Sequence, residues 1–128
     1  ETSSVYPDTD GNCLPSGPPR KLKGSEDFSI AGVIGKDLGL DHCFYGSQGS
    51  GLLYWPGTGL RVNFDCSDEC THAVIYPPVG KPFIAFEPVT NANNGVNLLE
   101  NGDETAGTVV LAPGKSLSAQ FDMTIEWD

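Results

Sequence analysis

From Leu117 to Glu126 apolar and polar residues take strict turns: Leu117, Ala119, Phe121, Met123 and Ile125 alternate with Ser118, Gln120, Asp122, Thr124 and Glu126. On a helix those apolar residues would spread around the whole circumference, whereas on a strand they share one face. The same period recurs where Leu60, Val62, Phe64 and Cys66 are interleaved with Arg61, Asn63 and Asp65. Further strands are predicted over Phe28 to Val33, Leu40 to Tyr45, Leu52 to Trp55, Cys70 to Tyr76, Pro82 to Glu87 and Thr108 to Leu111. Turn residues punctuate them. Gly57-Thr58-Gly59 reads as a hairpin connection and Ala112-Pro113-Gly114-Lys115 as a tight turn. No window carries the period of an amphipathic helix. Short alternating strands between turn signals predict an all-β fold, an antiparallel β-sandwich.

Residues 1–24 break the pattern. They are rich in Pro, Gly, Ser and Asp, without periodicity, and read as an extended arm or loop carrying Cys13 and stiffened at Pro18-Pro19. Residues 25–128 then form the sandwich, with no internal repeat and no second domain. A chain of 128 residues can bury roughly two thirds of its unfolded surface. An apolar fraction of 38%, with 16 Gly and 10 Pro, leaves much of it to turns. That suits a piece of a larger sandwich as well as a small complete one.

Net charge narrows the partners. At −10, with only seven Lys and Arg and a single basic cluster at Arg20, Lys21 and Lys23, the chain is a poor match for nucleic acid or an anionic membrane. No apolar run approaches the ~20 residues of a membrane span. Glu1-Thr2-Ser3-Ser4 does not read as a signal peptide, and the lack of an initiating Met suggests a processed or trimmed chain. Neutral ligands remain open.

Cys13, Cys43, Cys66 and Cys70 permit three pairings. Cys66 and Cys70 flank Ser67-Asp68-Glu69, a plausible hairpin loop, so a bridge between them is expected, with Cys13–Cys43 left over. Such bridges would indicate a secreted, oxidising setting, and free thiols a cytoplasmic one. Zinc on Cys66, Cys70 and His72 is the competing reading, but a structural site needs a second paired element, which is missing.

The segment from Pro82 to Leu99 carries the candidate chemistry. Phe83, Ile84, Ala85 and Phe86 read as a buried strand that Glu87 ends, and Pro88 biases Glu87 toward an extended backbone. Period two puts Glu87 on the face of Phe83 and Ala85, where apolar neighbours would raise a carboxyl pKa and suit it to proton transfer. The plainer alternative is a strand-end carboxylate in water. An Asn-rich loop follows (Asn91, Asn93, Asn94, Asn97), with neutral donors and acceptors of the kind that read sugar hydroxyls.

Three stretches, in order, resemble the aldose 1-epimerase (mutarotase) family. Leu40-Asp41-His42-Cys43-Phe44-Tyr45 resembles its Asp-His-x-Phe strand, preceded by Asp27-Phe28; Pro82 to Asn97 resembles its Phe-x-x-x-Glu-Pro strand and following loop; Gly107 to Phe121 resembles its closing Leu-x-Pro-Gly-Glu turn and final strand. The likeness covers about residues 22–127. It implies part of a large antiparallel sandwich that interconverts the α and β anomers of free hexoses by acid/base ring opening, without metal or organic cofactor. It also implies Glu87 as the base on the C1 hydroxyl and Asp41 as the carboxylate holding a sugar hydroxyl, with Asn91 beside them in the loop.

The likeness also implies an acid His from the half of the fold that precedes this one. This chain has only His42 and His72, which read as packing or surface residues; His42 should point away from Asp41, its neighbour on the strand. The chain is therefore expected to be the carboxy-terminal portion, completed by its amino-terminal half or a companion chain that covers its open sheet edges. Two other functions compete. One is a non-catalytic carbohydrate-binding module stacking sugar on Trp55, Tyr54 or Tyr45. The other is a glycoside-cleaving enzyme, which needs carboxylates roughly 5 to 9.5 Å apart.

Overall fold

The computed structural model describes residues 3–7, 11–28, 34, 38–47 and 49–128. Its strands are β1 (Ser4–Val5), β2 (Arg20–Lys21), β3 (His42–Tyr45), β4 (Ser50–Trp55), β5 (Leu60–Cys66), β6 (His72–Tyr76), β7 (Ala85–Val89) and β8 (Phe121–Trp127), with one short helix, α1 (Gly95–Glu100). They form two antiparallel sheets, ordered β2-β1-β3-β6-β7 and β4-β5-β8. The fold is all-β and sandwich-like. The chain changes sheet after Tyr45, after Cys66 and after Val89.

The five-stranded sheet is packed on both faces because both alternating sets of its side chains are apolar. Val5, Phe44 and Ile75 form one cluster with Leu22, Phe28, Ile84 and Phe86, facing the other sheet. There Phe86 meets Phe64 at a ring-centroid distance of 4.0 Å and Phe121 at 6.4 Å. On the opposite face Tyr6, Cys43 and Val74 pack under Ala92, Leu98 and Ala106. This lid consists of α1 and the 3-10 turn at Glu104–Ala106, which Asp103 caps through the Thr105 amide. Burial pushes the Tyr6 phenol, hydrogen-bonded to Asp103 and Thr105, up to about 12.

Several expectations shift. Leu60–Cys66 is a strand as read, because β4 and β8 both pair along it. The last strand starts at Phe121 rather than Leu117: Phe121 pairs with Cys66, where β5 ends, so the residues before it have no strand opposite. Thr108 to Leu111 forms no strand, and Val110 is exposed. A helix exists where none was expected; at six residues α1 is too short to display a period. Ser29 to Val33, in a segment expected to be strand, lie outside the described residues. Within the expected arm, Ser4–Val5 and Arg20–Lys21 join the five-stranded sheet, and Val5 and Tyr6 are fully buried.

The cysteines are also corrected. No disulfide joins any of the four, so neither expected bridge is present. Cys13 turns its sulfur onto Asp41, Cys43 is buried under the lid, and Cys66 lies beside Cys70, its thiol raised first by burial and then by that neighbour.

Candidate functional site

Strand register brings the two predicted carboxylates to one face. Across β3, β6 and β7, Cys43 lies opposite Val74, which lies opposite Glu87. Asp41 precedes His42 and so, by alternation, returns to the face of Cys43. With strands about 4.8 Å apart, one intervening strand and a two-residue offset separate their backbones by roughly 11 Å. Between them on that face stand Cys43 and Val74, buried under the lid.

The surroundings of Glu87 differ from expectation. It is exposed on β7, the edge strand, with Ala85, Val89 and Val74 as its neighbours on that face. The expected partnership with Phe83 fails because the strand begins only at Ala85; through the irregular Pro82–Ile84 stretch the alternation loses phase, and Phe83 lines the opposite side. That side holds an apolar cavity of about 450 Å³ between the sheets, bordered by Trp55, Val62, Phe64, Phe83 and Met123. Glu87, Asp41 and Asn91 are not among its walls.

Asp41 is tied down. The Cys13 thiol donates to its Oδ2 at 3.2 Å, and the Cys13 carbonyl accepts from Asn93 Nδ2 at 3.2 Å. One step along, Asn94 Nδ2 donates to the Pro15 carbonyl at 2.8 Å. Among the described residues, the non-glycine positions with left-handed backbone are Cys13 (φ 56°) and Asn94 (φ 60°), one on each side of this contact. The arm is thus fastened over the Asn-rich loop at the cost of two strained residues. Asn91, exposed, spends its amide on the loop, donating to the Ala92 carbonyl at 2.8 Å while its Oδ1 accepts from Thr90.

The two histidines occupy different places. His72 pairs with Val89 and shares the Glu87 face, diagonally one step away, yet it is fully buried. Tyr45 and Tyr6 cover its ring at centroid distances of 5.1 and 5.8 Å, and Nδ1 bonds Thr71 Oγ1 at 2.8 Å. Nε2 is buried with no aligned hydrogen-bond partner, and burial lowers the pKa against smaller opposing effects of Thr105 and Asp103. His72 is a core residue. His42 points to the other face, where Nε2 stands 3.8 Å from Glu26 and the ring packs near Phe44. Arg20 grips Glu26 with two hydrogen bonds of 2.6 and 2.7 Å, and that grip holds the carboxyl below its usual range.

The aromatic residues considered as sugar platforms are scattered: Trp55 lines the inter-sheet cavity, Tyr54 lies under the Arg61 guanidinium at 4.9 Å, and Tyr45 covers His72. Sequence reasoning missed Cys13 and Asn93 as neighbours of Asp41. Cys13 lies 28 residues from Asp41 and 80 from Asn93 in the chain, and no local signal joins them. No protein-family model matches the chain, and no curated protein matches it at a significant level.

Proposed function

We propose that the face bearing Asp41 and Glu87 handles the anomeric end of a free hexose, and that the chain is the carboxy-terminal part of an aldose 1-epimerase. The observation that supports this reading is the register of β3, β6 and β7, which sets Glu87 on the lidded face of Cys43 and Val74, the face to which alternation also assigns Asp41, beside the Asn-rich loop. Glu87 takes the proton of the C1 hydroxyl as an acid protonates the ring oxygen, so the C1–O5 bond breaks and an open aldehyde forms. Rotation about C1–C2 and return of both protons close the other anomer. Asp41, held by the Cys13 thiol, accepts a sugar hydroxyl, and its fixed position favours one sugar orientation.

The acid comes from a histidine-bearing companion polypeptide, because His72 is sealed in the core and His42 faces the other way. Polarimetry of fresh α-galactose or α-glucose with the complete assembly tests the proposal. Glu87→Gln should lower the mutarotation rate by a factor of about 10² to 10⁴; a variant as fast as the parent sinks it. The burial of His72 and the placement of His42 on the other face also favour a second reading, a non-catalytic carbohydrate-binding module. In that case titration with hexose shows binding that Glu87→Gln leaves intact, with no acceleration of mutarotation.

A further inference from the structure

The two sheets touch at one end and part toward the other. At the closed end Phe64 is buried between Phe86 and Phe121. Along β8 the apolar face then opens, with Met123 56%, Ile125 51% and Trp127 68% exposed. All seven residues of β8 are exposed, and among the described residues β8 is an edge strand that pairs with β5 alone. Its free side offers unpaired backbone donors and acceptors next to a bare apolar stripe, and native proteins cover such an edge.

The polar row of β8 says what kind of cover fits. Asp122, Thr124 and Glu126 point to the other face, and the acidic pair frames the threonine. A second copy joined edge to edge, antiparallel about Thr124, would set Asp122 against Glu126 twice over, and like charges directly opposite are destabilising. Two chains of net charge −10 add to that repulsion. A different polypeptide avoids both costs.

We propose that the β8 edge binds a β-strand of another polypeptide segment whose one face is apolar and whose other face carries Lys or Arg opposite Asp122 and Glu126. The added strand completes the hydrogen-bond ladder of β8, and its apolar side chains extend over Ile125 and Trp127 toward the inter-sheet cavity. Charge fixes the register of the added strand and the apolar stripe supplies the affinity. This inference stands apart from the sugar reading, since β8 and Glu87 belong to different sheets.

The probe is a synthetic peptide, Val-Lys-Val-Thr-Val-Lys-Val, capped at both ends, added to the whole chain and followed by the blue shift of tryptophan emission. Its comparators are the same peptide with Glu in place of Lys and a scrambled basic peptide of equal charge. The basic alternating strand should bind at least roughly tenfold tighter than either. In the double variant D122K/E126K the preference should reverse to the acidic strand. Ile125→Lys, at an exposed position, should abolish binding while leaving the unfolding transition in place. Equal binding of all three peptides, an unchanged preference in D122K/E126K, or a concentration-dependent dimer in sedimentation would each overturn the proposal. Loss of sugar binding in Glu87 variants would leave it untouched.

Discussion

The five-stranded sheet is apolar in both alternating sets and has both faces covered, whereas the β4-β5-β8 sheet alternates apolar with polar and leaves much of its apolar row exposed. Phe44 and Val5 are fully buried, while Ile125 and Trp127 are more than half exposed. The difference lies in neighbours. The first sheet has the lid of α1 and Glu104–Ala106 on one side and Phe64 with Phe121 on the other. The second sheet meets the first where Phe86 packs on Phe64 and Phe121. Alternation states which side chains want cover. Topology decides which of them receive it.

The largest effect that tests this contrast is Phe44→Ala, which should cost about 3–5 kcal/mol in chemical denaturation, against less than about 1 kcal/mol for Ile125→Ala. Equal costs would mean that β8 is covered in solution. Next comes Gly107→Ala. Gly107 has φ 71°, and a Cβ there would lie 2.5 Å from the Thr90 carbonyl oxygen and 2.7 Å from His72 Cε1. The expected loss is about 2 kcal/mol or more, read from the same midpoint.

Glu26→Gln should cost about 2 kcal/mol, because it unpairs Arg20 next to a largely buried partner and Arg20 itself is partly in water. The corresponding break in the open sheet, Asp128→Asn facing Arg61, should change stability by less than about 0.5 kcal/mol, since both groups are exposed. A larger loss there would erase the contrast between the sheets.

The last test is a pH slope. His72 folds with its pKa lowered from 6.5, mainly by burial, so the unfolded chain binds the proton more readily. Its contribution is complete above pH about 6.5 and is lost as pH falls through that value toward the folded pKa, with a slope of at most about 1.4 kcal/mol per pH unit. The thermal midpoint between pH 7 and 5 should decline in the parent and flatten in His72→Phe. Glu26, held low by Arg20, acts in the same direction at more acid pH, its contribution present above the ordinary carboxyl range and lost below it.

Much of the strand content was legible because residues 60–66 satisfy one periodicity and find partners on both sides. What sequence could not supply was partner length. Leu117 and Ala119 alternate as cleanly as Met123 and Ile125, yet the register with β5 ends at Phe121. Phe83 was assigned to the wrong side because three irregular residues shift the phase before β7 begins. For the site, Asp41 and Glu87 could be named singly. Their common face depends on β6 lying between β3 and β7, a fact of long-range pairing. The expected Cys13–Cys43 bridge is absent, and the Cys13 thiol faces the Asp41 carboxylate, a contact 28 residues away in the chain.

Since the polypeptide passes from one sheet to the other three times, neither layer corresponds to an unbroken stretch of the gene. A single cut at any loop therefore leaves at least one piece holding strands of both layers, and no single nick releases either layer whole. Engineering by fragment exchange would have to transplant the whole weave.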